Sequence, residues 1–174
     1  LDAASEKKGE QRLEKMVSGR YMGELFEMAL AELLGAAGSA YGFTSVDLSR
    51  MLEDVSEDAT SAATLVEVLT GQRLTAEDAL RVRGLARAIV VRSARLIAAT
   101  FVGTLWQVTG SGEIRAQHIA VDGSVYEKMP LVRETMKEAF EELLGADAVK
   151  VDTILASGGS GLGAALAAAM AERG

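Results

Sequence analysis

The chain has 174 residues, a length that suits one domain or two small lobes sharing a core, and its 49% apolar and 25% charged side chains exclude wholesale disorder. Its 18 basic against 25 acidic side chains give a net charge of −7 with His neutral, which argues against a sequence-independent grip on nucleic acid or an anionic membrane, since either needs a basic face. With no cysteine and a single histidine, His118, the chain has no disulfides, thiolate zinc sites, iron–sulfur clusters, thiol nucleophiles or multi-histidine metal sites.

The first residue is Leu1 rather than methionine, so the expectation is a processed product or a piece of a longer protein. The polar opening LDAASEKKGEQR has no apolar h-region and does not read as a signal peptide. From about Gln11 to Leu34, apolar residues such as Leu13, Met16, Val17, Met22, Leu25, Phe26 and Leu30 recur at helical spacing. Gly19 and Gly23 interrupt that pattern, either as lightly tolerated glycines or as a helix start or a close approach by a ligand. Gly35 to Phe43 reads as a loop of small residues. Two short helices follow, around Leu48 to Leu52 and Ser61 to Leu69, the second closed by Gly71. Thr75 to Asp78 resembles a capping box with Asp78 in place of the usual Glu. The helix it opens runs to Val108, on the order of 50 Å at about 1.5 Å per residue, which marks it as a central packing element. Its arginines, Arg81, Arg83, Arg87, Arg92 and Arg95, form no single stripe and read as solvated or ion-paired. The most apolar stretch, Leu96 to Trp106, falls short of the about 20 apolar residues a spanning helix needs. A soluble protein is expected, and the missing cysteines suggest the cytoplasm.

The final third changes character. Ile114 to Val121 reads as a strand, followed by the turn signal Asp122-Gly123 and the β-prone Ser124-Val125-Tyr126, which reads as a plain hairpin turn or as a binding turn. Pro130 opens a helix to about Leu144, stopped by Gly145. Val149 to Ala156 reads as a second strand, and the run from Gly158 to Gly163 leads into a helix over Ala164 to Glu172. Strands alternating with helices indicate an α/β arrangement.

A strand, a glycine loop and a helix N-terminus together make an anion site, because free N–H groups and the helix dipole face the loop. Gly159 to Ala164 satisfies a relaxed GxGxxA, but a dinucleotide fold also needs a second strand with an acidic residue about 20 positions on, and these residues hold none. A Walker A pattern is absent as well. The loop is left either to approach a nucleotide or to let strand and helix pack closely. His118, the carboxylate pairs Asp54/Glu57 and Glu141/Glu142, and the spaced Met16, Met22 and Met28 read as structural or solvated groups.

Three segments in order carry a resemblance. Leu13-Glu-Lys-Met-Val-Ser-Gly-Arg-Tyr-Met-Gly-Glu-Leu25 resembles the EKMxSGxYxGE segment of eukaryotic-type hexokinases and glucokinases; Val121-Asp-Gly-Ser-Val-Tyr126 resembles their VDGSVY segment; Gly159-Ser-Gly-Leu-Gly-Ala-Ala-Leu166 resembles their GSGxGAAL tail. The match covers almost the whole chain but only the C-terminal portion of such an enzyme. It implies the C-terminal half of an actin-like ATPase (ribonuclease H-like) fold, helix-rich with a few strands. It implies hexose binding at Glu14, whose carboxylate can accept from two sugar hydroxyls at once. It implies contacts to ATP at Gly19 and Arg20, at Ser45 and Ser49 by the adenine end, at Gly123 and Ser124, and at Gly159, Ser160 and Gly161. The family commonly has lysine or methionine at the position of Arg20 and an acidic residue where this chain has Gly158.

The family's DxGGTN phosphate segment and catalytic aspartate are not among these residues, so no catalytic residue and no metal ligand is assigned here. The implied parent is an ATP-dependent kinase that phosphorylates the 6-hydroxyl of glucose or a related hexose, with Mg-ATP as cofactor and the metal held mainly through the nucleotide. The implied partners are hexose, ATP and the N-terminal portion of the enzyme, with no nucleic acid and no membrane span. The alternatives are a non-catalytic nucleotide- or sugar-binding half-domain of the same ancestry, or another actin-like ATPase, against which Glu14 and its segment argue.

Overall fold

The computed structural model describes residues 1–5, 7–35, 40–110 and 113–171. Eight α-helices and two strands are among them: α1 (Arg12–Val17), α2 (Gly19–Leu33), α3 (Ser45–Glu53), α4 (Thr60–Thr70), α5 (Ala76–Thr109), β1 (Gln117–Val121), α6 (Ser124–Lys128), α7 (Val132–Leu144), β2 (Val151–Leu155) and α8 (Gly159–Ala171). Short 3-10 turns cover Asp2–Ala4 and Gly145–Lys150.

The single helix expected over Gln11 to Leu34 is two helices, broken at Ser18, whose backbone is extended. A continuous helix would use the Met16 carbonyl within its own ladder. Instead that oxygen accepts from Ser93 Oγ at 3.1 Å and from Arg92 Nη1 at 3.4 Å, so α5 satisfies the group the break releases. Gly23 has a packing reason: a Cβ there would lie 2.4 Å from the Phe43 carbonyl oxygen, so α2 rests directly on the backbone that leads into α3. Residues 36–39 of the expected small-residue loop lie outside the described residues.

α5 is the core. Its start is the capped Thr75, whose Oγ1 accepts the Asp78 N–H at 3.1 Å. Buried Ala79, Ala86, Ala94 and Ala98 let α1, α2, α3, α4 and α7 approach it closely, with Val82, Val90 and Val102 filling the gaps. Its arginines bear out the ion-paired reading in Arg81 with Glu77 and Asp78 and in Arg95 with Glu142, while Arg83 donates to the carbonyls of Asp54 and Ser56. By length and composition alone α5 is long and apolar enough to cross a bilayer, but its buried stripe faces the other helices.

β1 and β2 pair in parallel, in register from Gln117 with Val151 to Val121 with Leu155. This corrects the hairpin reading of Asp122-Gly123, because parallel strands need a crossover, here α6 and α7. The β-prone Ser124-Val125-Tyr126 is helical: buried Tyr126 places its hydroxyl 2.8 Å from Thr153 Oγ1 and 3.0 Å from the Thr153 carbonyl oxygen, under the Arg133 guanidinium. This tertiary anchor overrides local propensity. The strands are shorter than expected, starting at Gln117 and Val151. α8 begins at Gly159 rather than Ala164, so the glycine run forms its first turn; Glu172 lies outside the described residues.

One face of the sheet, with Ile119, Val121 and Val151, packs on the core. On the other, His118, Ala120, Asp152 and Ile154 are exposed. α8 is exposed from Gly161 to Ala171, with Leu162, Leu166 and Met170 all more than half exposed.

Candidate functional site

Parallel strands end at the same edge of a sheet, and ligands of open α/β folds bind outside those carboxyl ends. Here that edge carries Asp122-Gly123-Ser124 after β1 and the run from Ala156 to Gly161 after β2. The Ala156 N–H donates to the Val121 carbonyl at 2.9 Å, extending the ladder by one rung. Gly123, at φ +140 and ψ 148, turns the chain from β1 straight into α6 through a conformation that side chains rarely adopt. Gly158 has φ +73 and directs the chain into α8. A Cβ on Gly159 would stand 3.3 Å from the Ala156 Cβ and 3.9 Å from Asp122 Oδ2, so the two post-strand segments lie side by side. Among the described residues, nothing beyond its chain neighbours and its own helix backbone lies within 4 Å of a Cβ placed on Gly161. The side chain of Ser160 lies outside what is described.

The start of α2 meets this edge from the other side. A Cβ on Gly19 would lie 2.9 Å from Val125 Cγ2 and 3.3 Å from Ser45 Oγ. α2, α3 and α6 therefore converge at their N-terminal ends. Beside them is a pocket of about 250 Å³ lined by Ser45, Ser49, Glu53, Ser124, Val125 and Lys128, among others. Thr44 and Asp47 fix the start of α3, and so Ser45, through reciprocal capping bonds. The Ser49 hydroxyl donates to Glu53 at 3.0 Å. Of the residues expected to touch nucleotide, Gly19, Ser45, Ser49 and Ser124 are gathered here, with Gly123 and Gly159 along the adjoining edge.

Two expected residues stand apart. Arg20 is exposed and turned along its own helix, with Nε 3.6 Å from Glu24 and its guanidinium 5.3 Å from the centre of the Tyr21 ring. Glu14 lies on α1 with its side chain exposed. Asp122 and Val125 lie in the segment singled out from sequence but were assigned no role there, and Lys128 was not named. The strand-ending segment from Val121 to Lys128 was the available signal, since a residue flanking a turn at a sheet's carboxyl edge faces the same crevice.

The pocket is small and open to solvent; the hydroxyls of Ser45, Ser49 and Ser124 and the charged Glu53 and Lys128 are set into a lining that is otherwise apolar, with glycines nearby where backbone must come close. That combination suits a phosphate-bearing or hydroxyl-rich ligand held largely by N–H groups and hydroxyls. Among the described residues, no group of three His, Asp or Glu could hold a metal ion.

Comparison with known proteins matches this arrangement to one family. The profile described as hexokinase matches residues 1–170. Hexokinase-1 of Oryza sativa subsp. japonica is 38% identical over 97% of this chain and 37% of its own length. Hexokinase-2 of Rattus norvegicus is 32% identical over 99% of this chain and 20% of its own. Hexokinase-1 of Saccharomyces cerevisiae is 31% identical, covering 99% and 38% respectively. A solved structure described as a crystal structure of hexokinase superposes with a TM-score of 0.74 at 28% identity, over 89% of this chain and 36% of that one. The chain thus spans little more than a third of the rice and yeast proteins and a fifth of the rat protein, and matches their C-terminal part.

Proposed function

The chain belongs to the hexokinase family, with the helix-rich α/β architecture of the actin-like ATPase fold, and from that premise we propose that it is the C-terminal portion of an ATP-dependent hexose kinase. The reaction is transfer of the γ-phosphoryl group of ATP to the 6-hydroxyl of glucose or a related hexose. A bond forms between the sugar oxygen and phosphorus, the bridging bond to the β-phosphate breaks, and ADP leaves. The hydroxyl proton passes to a base outside this chain. We place the parent protein in the cytoplasm, a reading supported by the cysteine-free composition of these 174 residues, and in carbohydrate phosphorylation at the head of glycolysis.

One observation carries the reading: Gly19, Ser45 and Val125, from three distant segments, close on each other beside the sheet's carboxyl edge, where Gly123 and Gly159 also lie. Backbone N–H groups at the start of α8 and the hydroxyls of Ser45, Ser49 and Ser124 would hold the nucleotide there. Glu14 would accept hydrogen bonds from the hexose. The described residues do not make a metal site, so magnesium would arrive on the nucleotide's own phosphates, and no step is assigned to it. Phosphoryl transfer depends on positioning and electrostatic stabilisation from both sides of a cleft, and this chain supplies one wall. The open face of the β1–β2 sheet supports its being a portion, because parallel sheets are covered on both faces. The relatives favour the kinase reading over a non-catalytic half-domain.

The test is a coupled assay of glucose phosphorylation. Full-length protein is expected to form ADP and hexose 6-phosphate from Mg-ATP, and the 174-residue chain alone is expected to show no turnover. Robust activity from the chain alone, or none from the full-length protein with glucose, mannose or fructose, overturns the proposal.

A further inference from the structure

α1, which carries Glu14, is a helix of six residues, and so short a helix is marginal by itself. It has no side-chain cap; Gln11 before it adopts a left-handed conformation at φ +49. Polar anchors hold it from two sides. On one, Lys15 is 3% exposed, with Nζ 2.7 Å from Asp2 Oδ1 and donating to the Lys7 carbonyl. The Asp2 carboxylate also accepts the Gly9 N–H, at 3.0 and 3.1 Å to its two oxygens, so this opening segment wraps the ammonium. On the other side, fully buried Ser93 donates to the Met16 carbonyl.

A buried ammonium is costly to desolvate, and a methionine or leucine would fill the same space without that cost. What the ammonium adds is direction. Successive residues of an α-helix are about 100° apart around its axis. With Lys15 pinned inward, Glu14 is held on the exposed face, and it cannot turn without breaking the contacts to Asp2 and Lys7. We infer that Lys15, paired with Asp2, is a positioning residue that aims the Glu14 carboxylate at the bound hexose. The inference rests on the hexose role proposed for Glu14. Small displacements of a group that orients substrate have large kinetic consequences.

The test is steady-state kinetics of the full-length protein with glucose and Mg-ATP. Lys15→Met is expected to raise the KM for glucose at least tenfold while the KM for ATP stays within twofold. Asp2→Asn is expected to act in the same direction, and Lys15→Arg to restore most of the loss. In a Glu14→Gln background, Lys15→Met is expected to add little to the glucose KM, because the lysine acts through the glutamate. A merely structural lysine would lower the thermal midpoint and the active fraction without separating the two KM values. If Lys15→Met does not fold, Asp2→Asn carries the test from the more exposed partner. A glucose KM within twofold of the parent value for the variant that folds overturns the inference, as do independent, multiplying effects of Lys15→Met and Glu14→Gln. A Glu14→Gln variant with an unchanged glucose KM overturns the hexose role of Glu14, and the inference with it.

Discussion

A methyl group on Gly19 would stand 2.9 Å from Val125 Cγ2, closer than real side-chain carbons approach, so these two residues close around a space that only glycine leaves open. The neighbour is the end of a side chain and can move by some tenths of an ångström. Gly19→Ala is therefore expected to fold, losing about 1 kcal/mol to overpacking, at the low end for such changes. The displaced Val125 borders the pocket, and titration calorimetry of the full-length protein is expected to show Mg-ATP binding at least tenfold weaker. Adding Val125→Ala should recover part of that loss, since residues in contact do not act additively. Unchanged affinity in Gly19→Ala would remove this end of α2 from the nucleotide site.

Gly23 provides the contrast. A Cβ there would lie 2.4 Å from the Phe43 carbonyl oxygen and 2.7 Å from the Thr44 Cα, both backbone atoms that cannot swing aside. Gly23→Ala gains helix propensity of up to about 1 kcal/mol, yet is expected to lose about 3 kcal/mol of stability overall. Urea denaturation should show a lower midpoint. A midpoint equal to or above the parent value would mean that α2 and the Phe43–Thr44 backbone separate easily.

These glycines show how much of the molecule was legible beforehand. Helical spacing marked Gly19 and Gly23 alike, two weak points in one helix; motif resemblance set Gly19 apart as a nucleotide contact, and the fold adds that Gly23 is buried against backbone. The capped start of α5 at Thr75 was readable because the Thr75–Asp78 bond is local. The break at Ser18 was not, because it depends on Ser93, 77 positions away, taking up the Met16 carbonyl. α6 was misread for the same reason: Tyr126 is held by Thr153, 27 positions on. At the site, the glycines and serines were named from motif resemblance, but their convergence with Val125 and Lys128 belongs to the parallel crossover, which no local pattern encodes.

Asp54 makes acid stability predictable in sign. Bonds to its carboxylate from the Ser56 hydroxyl, and from the N–H groups of Ser61 and Ser56, hold its pKa down at about 2, from an ordinary value near 3.8. A depressed folded pKa means that the unfolded chain binds the proton first. The stabilisation is therefore complete above about pH 4 and is lost as pH falls towards 2. Asp54→Asn is expected to lower the urea midpoint at pH 7 and to flatten its fall between pH 4 and 2. Carboxyl titration by NMR should place the Asp54 midpoint well below 3.8, and a midpoint near 3.8 would refute the bonding at the α3–α4 junction.

α8 poses the sharpest energetic question in the fold. A helix that is apolar all round belongs in an interior, yet Leu162, Leu166 and Met170 are 65%, 57% and 74% exposed. Within the 174-residue chain these side chains contribute little to folding, so Leu162→Lys, Leu166→Lys and Met170→Lys together should leave the urea midpoint nearly unchanged. Their removal should also reduce binding of a hydrophobic dye and self-association, because at four-residue spacing they form one exposed apolar stripe along α8. In the full-length protein the same three substitutions are expected to cost several kcal/mol, at about 1.5–3 kcal/mol for each buried aliphatic side chain replaced by a charge. The comparison needs only denaturation midpoints of two lengths of the same protein. A large loss in the short chain would mean that α8 is packed against it, and no loss in the long one would mean that nothing preceding residue 1 covers this helix.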